Sequence, residues 1–132
     1  SEARYRLLAE NMTDVLYFQN IEGRIEYVSP SVERVFGYTP GEAVGLTMAD
    51  VMTPESHERA RRQIEEFLAA DDPDLEVPAQ EYRYVRKDGS VFWGEVAPTF
   101  VRDDSGRLIG NQGLMRDISD RKQIEADRAA GR

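Results

Sequence analysis

Apolar residues along this chain change period three times. Tyr5, Leu8 and Met12 share one stripe of a helix over roughly Glu2 to Asn11. Val15 to Gln19 is a compact apolar and aromatic run, and Arg24 to Val28 is a second. Between them, Asn20-Ile21-Glu22-Gly23 supplies turn residues, so the two runs are predicted to pair as a hairpin.

A helical stretch follows. Ser29-Pro30-Ser31 predicts a helix start with Ser29 as N-cap and Pro30 at the first helical position. Val32, Val35 and Phe36 form its inner side, and Gly37 ends it. Thr39-Pro40-Gly41-Glu42 opens a second short turn that Gly45 closes, and Thr47 to Val51 a third. Thr53, Pro54 and Glu55 begin the longest helix, running to about Ala70, with Ala60, Ile64, Phe67 and Leu68 inward and charges outward. After the loop Asp71-Asp72-Pro73-Asp74, the period becomes two until about Asp117. The turn Lys87-Asp88-Gly89-Ser90 and a second at Asp104-Ser105-Gly106 divide this stretch into three consecutive antiparallel strands. On the middle strand Phe92, Gly94, Val96, Pro98 and Phe100 share one face, and Trp93, Glu95, Ala97 and Thr99 the other. Pro98 predicts a bulge or an unpaired position. The order helix, two strands, several helices, three strands, helix predicts an α+β fold with an antiparallel sheet and helices on one face.

Composition narrows the functions. A chain of 132 residues with 40% hydrophobic and 32% charged content is expected to be one globular domain. No apolar run approaches the roughly 18 residues of a membrane span, and no secretory signal pattern opens the chain. Both ends look cut from a longer protein; a membrane anchor elsewhere is compatible with that, and the domain itself is expected in the cytoplasm. The net charge of -8 opposes nucleic-acid binding and is read as solubility in preference to an acidic docking face. Without cysteine there are no disulfides, thiolate nucleophiles or cysteine-ligated zinc sites. No phosphate loop, nucleophile elbow or metal-ligand spacing is present, and no carboxylate pair is set apart for acid–base work, so the domain is not read as an enzyme.

Three stretches together resemble the PAS/PAC sensor domains of bacterial signalling proteins. These are Asn11-Met12-Thr13-Asp14-Val15-Leu16-Tyr17; Tyr27-Val28-Ser29-Pro30-Ser31 through Phe36-Gly37-Tyr38-Thr39-Pro40-Gly41-Glu42; and Arg86-Lys87-Asp88-Gly89-Ser90 through Trp93 with Arg116-Asp117-Ile118-Ser119-Asp120-Arg121-Lys122. The resemblance covers about residues 5–122. It implies a five-stranded antiparallel sheet with helices packed on one face, a flanking helix over 1–13, a core over 14–118 and the start of an output helix or linker over 119–132.

The resemblance also implies a cavity between sheet and helices, lined by Tyr17, Gln19, Tyr82, Tyr84, Gly94, Val96 and Met115. A filled aromatic core and a small-ligand pocket both fit these residues. Gly94 either leaves room in the cavity or lets a helix approach. Asp117-Ile118-Ser119 matches the family's D-I-T element, with Asp117 expected to pair with Arg86 or Lys87 and Ser119 to cap the departing helix, coupling sheet to output. Simple capping and a surface ion pair are the plainer alternative. No cofactor is identified. Met48 stands where a flavin-adduct cysteine would lie, and Arg61 where a haem histidine would, so a covalent flavin adduct and haem are both disfavoured. The sheet is read as lacking the usual polar amide set for flavin, and His57 as a surface residue. The expected function is regulatory sensing of a small molecule, relayed to a fused effector such as a histidine kinase or diguanylate cyclase. The alternative is a ligandless dimerisation and relay module. A homodimer is expected, with Tyr5, Leu8, Met12 and the outward Trp93 at its interface; Trp93 covering its own N-terminal helix fits equally.

Overall fold

The computed structural model describes residues 13–72 and 74–131. The expected N-terminal helix, with Tyr5, Leu8 and Met12, lies outside them. The fold is α+β. Strands β1 (Val15–Asn20) and β2 (Ile25–Val28) are followed by helices α1 (Val32–Phe36), α2 (Pro40–Ala43), α3 (Met48–Val51) and α4 (Pro54–Ala70). Strands β3 (Gln80–Val85), β4 (Val91–Val96), β5 (Thr99–Arg102) and β6 (Leu108–Asp117) come next, and α5 (Ser119–Ala129) leaves the sheet.

The sheet order is β2-β1-β6-β4-β3, with β5 also paired to β6 and every pairing antiparallel. Six strands replace the five expected because the long middle strand breaks at Ala97-Pro98. Proline cannot donate to a ladder. Its two halves still run along one edge of β6, β4 beside Met115–Asp117 and β5 beside Leu108–Gln112.

Helix boundaries follow local chemistry. Thr39 and Glu42 form a reciprocal capping box at α2, Asp50 bonds back to Thr47 at α3, and the Thr53 hydroxyl accepts from Ser56 N–H at α4. The cap expected at Ser29 is absent. Helix α1 begins at Val32 with no side-chain cap bond. Ser29 Oγ instead accepts from Leu16 N–H at 2.9 Å and lies 2.7 Å from Ser31 Oγ. Since Ser31 spends its proton on the Asp14 carbonyl at 2.6 Å, Ser29 must donate to Ser31. Both serines are buried, so their hydroxyls stitch the start of the helical layer to β1.

The helices are pinned to the inner face of the sheet at both ends of the layer. Thr53 N–H donates to Arg83 O, and Lys87 N–H to Phe36 O. Phe36 packs edge-on against Tyr84 and Phe92, with ring centroids 5.7 and 5.2 Å away. That aromatic cluster, with Val15, Val28 and Met115, is the core.

Candidate functional site

The inward stripe of α4 is only half-buried at Ala60, Ile64, Phe67 and Leu68. The reason is a hollow of about 490 Å³ between this helix and the sheet, which these four residues help to line. Of the residues expected there, Tyr17, Gln19, Tyr82, Tyr84 and Val96 line it. Met115 borders a separate hollow of only about 40 Å³ beside Val15 and Phe36. The core is thus both closely packed and hollow: Tyr84 belongs to the aromatic cluster and also forms part of the cavity wall.

Gly94 opens no room in this cavity, and it admits no helix either. A Cβ there would lie 2.6 Å from the Tyr84 ring and 2.7 Å from Met115 Sδ, so the space of its missing side chain is already filled. A leucine at this position would therefore disturb the core as a whole and could not probe the cavity selectively.

Two amide clusters give the cavity its polarity. Across the β1–β6 ladder, Gln19 faces Asn111. Gln19 Nε2 and the Tyr17 hydroxyl both donate to Asn111 Oδ1, at 3.1 and 3.2 Å. On the helix side, the Tyr82 hydroxyl donates to Gln63 Oε1 at 2.7 Å, and Gln63 Nε2 donates to Gln80 Oε1 at 2.8 Å. Arg59 lies 4.5 Å over the Tyr82 ring and donates to Glu81 O. Burial pushes the Tyr17 and Tyr84 phenols well above their usual range. It raises Tyr82 as well, against the opposing charge of Arg59.

Of the amides that the sheet turns toward the cavity, Gln19 was expected from the sequence, whereas Asn111 and Gln80 were not. Counting back from Met115 by twos reaches Gly113 and then Asn111, so strand alternation held the signal. His57 is half-buried in the cavity wall and is not the plain surface residue expected. Arg61 is held by ion pairs to Glu58 at 2.7 Å and Glu65 at 2.5 Å. Met48 lines both hollows. Among the described residues, no three His, Asp or Glu side chains gather as metal ligands.

The exit from the sheet forms a second constellation. Asp117 Oδ2 lies 3.4 Å from Arg86, whose Nε donates to Val35 O and whose guanidinium sits 4.2 Å over Phe92. Lys87 does not join this pair. It turns to Glu42 at 2.6 Å and holds that carboxyl down at about 2. Ser119 does not cap α5. Its N–H donates to Asp117 Oδ1 at 2.9 Å, so Asp117 satisfies the helix start while binding Arg86. Ile118 is buried, and its N–H donates to Trp93 O. Lys122 reaches Glu81 at 2.5 Å and lies 4.7 Å over Trp93, while Arg121 reaches Glu81 and Glu95. Trp93 is thus half-buried under α5, with Arg83 also over its ring. No helix of the described residues is long and apolar enough to cross a membrane.

Comparison with known proteins matches residues 13–120 to the PAS domain family. The chain is 27% identical over 127 residues to sporulation kinase C of Bacillus subtilis, spanning 95% of this chain and 28% of that protein. It is 32% identical over 108 residues to the bacterioopsin transcriptional activator of Halobacterium salinarum, spanning 80% of this chain and 15% of that protein. The solved PAS domain of a Colwellia psychrerythraea protein superposes with a TM-score of 0.75 at 21% identity, covering 91% of this chain and 99% of that one. The chain accordingly spans less than a third of the length of either relative.

Proposed function

This chain belongs to the PAS domain family, and on that premise we propose that it senses a small molecule in the cavity between α4 and the sheet and relays occupancy through its terminal helices to an effector in a longer protein. The observation that carries this reading is the hollow of about 490 Å³. A space of that size, mostly apolar with a few convergent amides, is what a small ligand requires. A kinase or cyclase effector is compatible with it, and kinase is the word in the name of one relative. Native mass spectrometry of gently purified protein tests the reading. The expected result is an adduct that leaves on denaturation. Bare polypeptide from several expression hosts, unchanged by metabolite pools, would overturn it.

Relay would run through Asp117. This residue contacts Arg86, just past the end of β3, and the start of α5 through Ser119 N–H. Asp117→Ala should leave ligand affinity unchanged and speed amide exchange in the first turn of α5 about fivefold, from losing a cap worth about 1 kcal/mol. In the full-length protein it should uncouple output from ligand. Unchanged exchange together with unchanged output would remove Asp117 from the relay.

A second reading, homodimerisation and relay, draws on the outer sheet face. Leu16 pairs with Leu114 and Phe18 with Tyr27 there, and Tyr27 and Leu114 stay exposed. The same mass spectra report the dimer directly.

A further inference from the structure

We propose that Gln19 and Asn111 form a recognition pair for a neutral, flat ligand that presents an N–H beside a C=O, as a lactam does. This rests on the sensing function proposed above and specifies the chemistry of its ligand.

A count of hydrogen-bonding atoms leads there. Asn111 Oδ1 already accepts two bonds, from Gln19 Nε2 and from the Tyr17 hydroxyl, which fills its two lone pairs. Gln19 Oε1 is then buried with no partner, on a side chain belonging to a residue only 6% exposed. Asn111 Nδ2 likewise donates to none of the described residues, and both amides line the cavity. One unpartnered acceptor atom and one unpartnered donor atom therefore remain on two residues that face each other across the ladder. Turning both amides over exchanges the roles and keeps the count: Asn111 would donate to Gln19, leaving an acceptor on Asn111 and a donor on Gln19. The β1–β6 register sets the two residues directly opposite each other, and the bond from Gln19 Nε2 to Asn111 Oδ1 holds their side chains together.

The surroundings define the rest of the ligand. Ile64, Phe67, Phe100 and Leu108 offer apolar walls to a flat ring. The charged side chains that reach the cavity, Glu22, Arg61 and Glu65, belong to exposed residues at its rim. A charged group at the amide pair would be buried without a counter-charge, which disfavours ionic ligands. A buried orphan acceptor is costly, and a ligand N–H relieves it.

Three probes of similar size separate these points by calorimetric titration of the whole chain: 2-quinolinone, 1-methyl-2-quinolinone and naphthalene. The first carries the N–H beside its C=O, the second lacks the N–H, and the third has neither. 2-Quinolinone is expected to bind about tenfold more tightly than its methylated form. It should also move the side-chain amide resonances of Gln19 and Asn111. Gln19→Met should erase the tenfold preference while retaining naphthalene binding; the comparison on the unaltered chain stands whether or not that variant folds. Equal affinity for all three probes would overturn the recognition pair and leave a purely apolar sensor cavity standing. Binding of none would overturn the pair, while the native mass spectra decide the sensing reading separately.

Discussion

Replacing Gly110 by alanine is expected to remove more than about 3 kcal/mol of stability, a large share of the roughly 5–15 kcal/mol typical of a domain. A Cβ at Gly110 would collide with the Gln19 carbonyl oxygen and stand 2.8 Å from Phe18 Cζ. The first obstacle is backbone in the central β1–β6 ladder, so no rotamer change relieves it; the strands must separate. The contacts at Gly94 are with side chains, the Tyr84 ring and the unbranched Met115, which yields more readily. Alanine at Gly94 should therefore cost less, about 1–3 kcal/mol. Urea denaturation followed by circular dichroism reads both as a lowered midpoint at unchanged slope. A Gly110→Ala protein as stable as the original would mean that β1 and β6 do not pair in this register. The opposition of Gln19 and Asn111 would then fail with it.

Elements set by local chemistry were legible in the sequence. The Asp88-Gly89 turn, the threonine-proline starts at Thr39 and Thr53 and the alternation from Phe92 to Val96 all produced the expected local structure. Properties that depend on distant neighbours were not legible. Alternation places Gly94 on the inner face, but only the packed structure shows that Tyr84 and Met115 fill its space. Arg86 and Lys87 were equivalent candidates for Asp117, yet Lys87 faces Glu42 across the helical layer. Helix α5 was the hardest case. The sequence placed a helix after the last strand but not its docking, because the surface it meets is built from Glu81, Glu95 and the ring of Trp93, which charged side chains engage. Hydrophobic periodicity cannot detect a helix docked by charge. Ser29 misled in the opposite way: a serine before proline fits a cap, but its hydroxyl serves the strand.

At alkaline pH the domain is expected to lose stability steeply above about pH 10, where free tyrosine ionises. The cause is burial of Tyr17 and Tyr84, which raises both phenols well above that value in the folded chain. Above pH 10 the unfolded chain has released these two protons and the folded chain still holds them. The folded state then binds more protons, so stability falls as pH rises. The contribution is complete below pH 10 and disappears through the folded-state values. Each phenol supplies about 1.4 kcal/mol per pH unit, hence about 3 kcal/mol per unit for the pair. Lys87 and Lys122 also have raised values and act in the same direction, Lys87 in an exposed ion pair and Lys122 in a half-buried one, and screening by water keeps their part of the slope small. Urea melts at stepped pH should show the decline, and phenolate absorbance should gain its last component only as the circular dichroism collapses. Tyr17→Phe removes one of the two protons, so it should roughly halve the slope even while it costs the bond to Asn111. If all six tyrosines ionised before any loss of secondary structure, water would already reach the Tyr17 and Tyr84 hydroxyls in the folded state. The cavity wall would then be solvated, and the desolvated amide pair beside Tyr17 would lose the burial on which its selectivity depends.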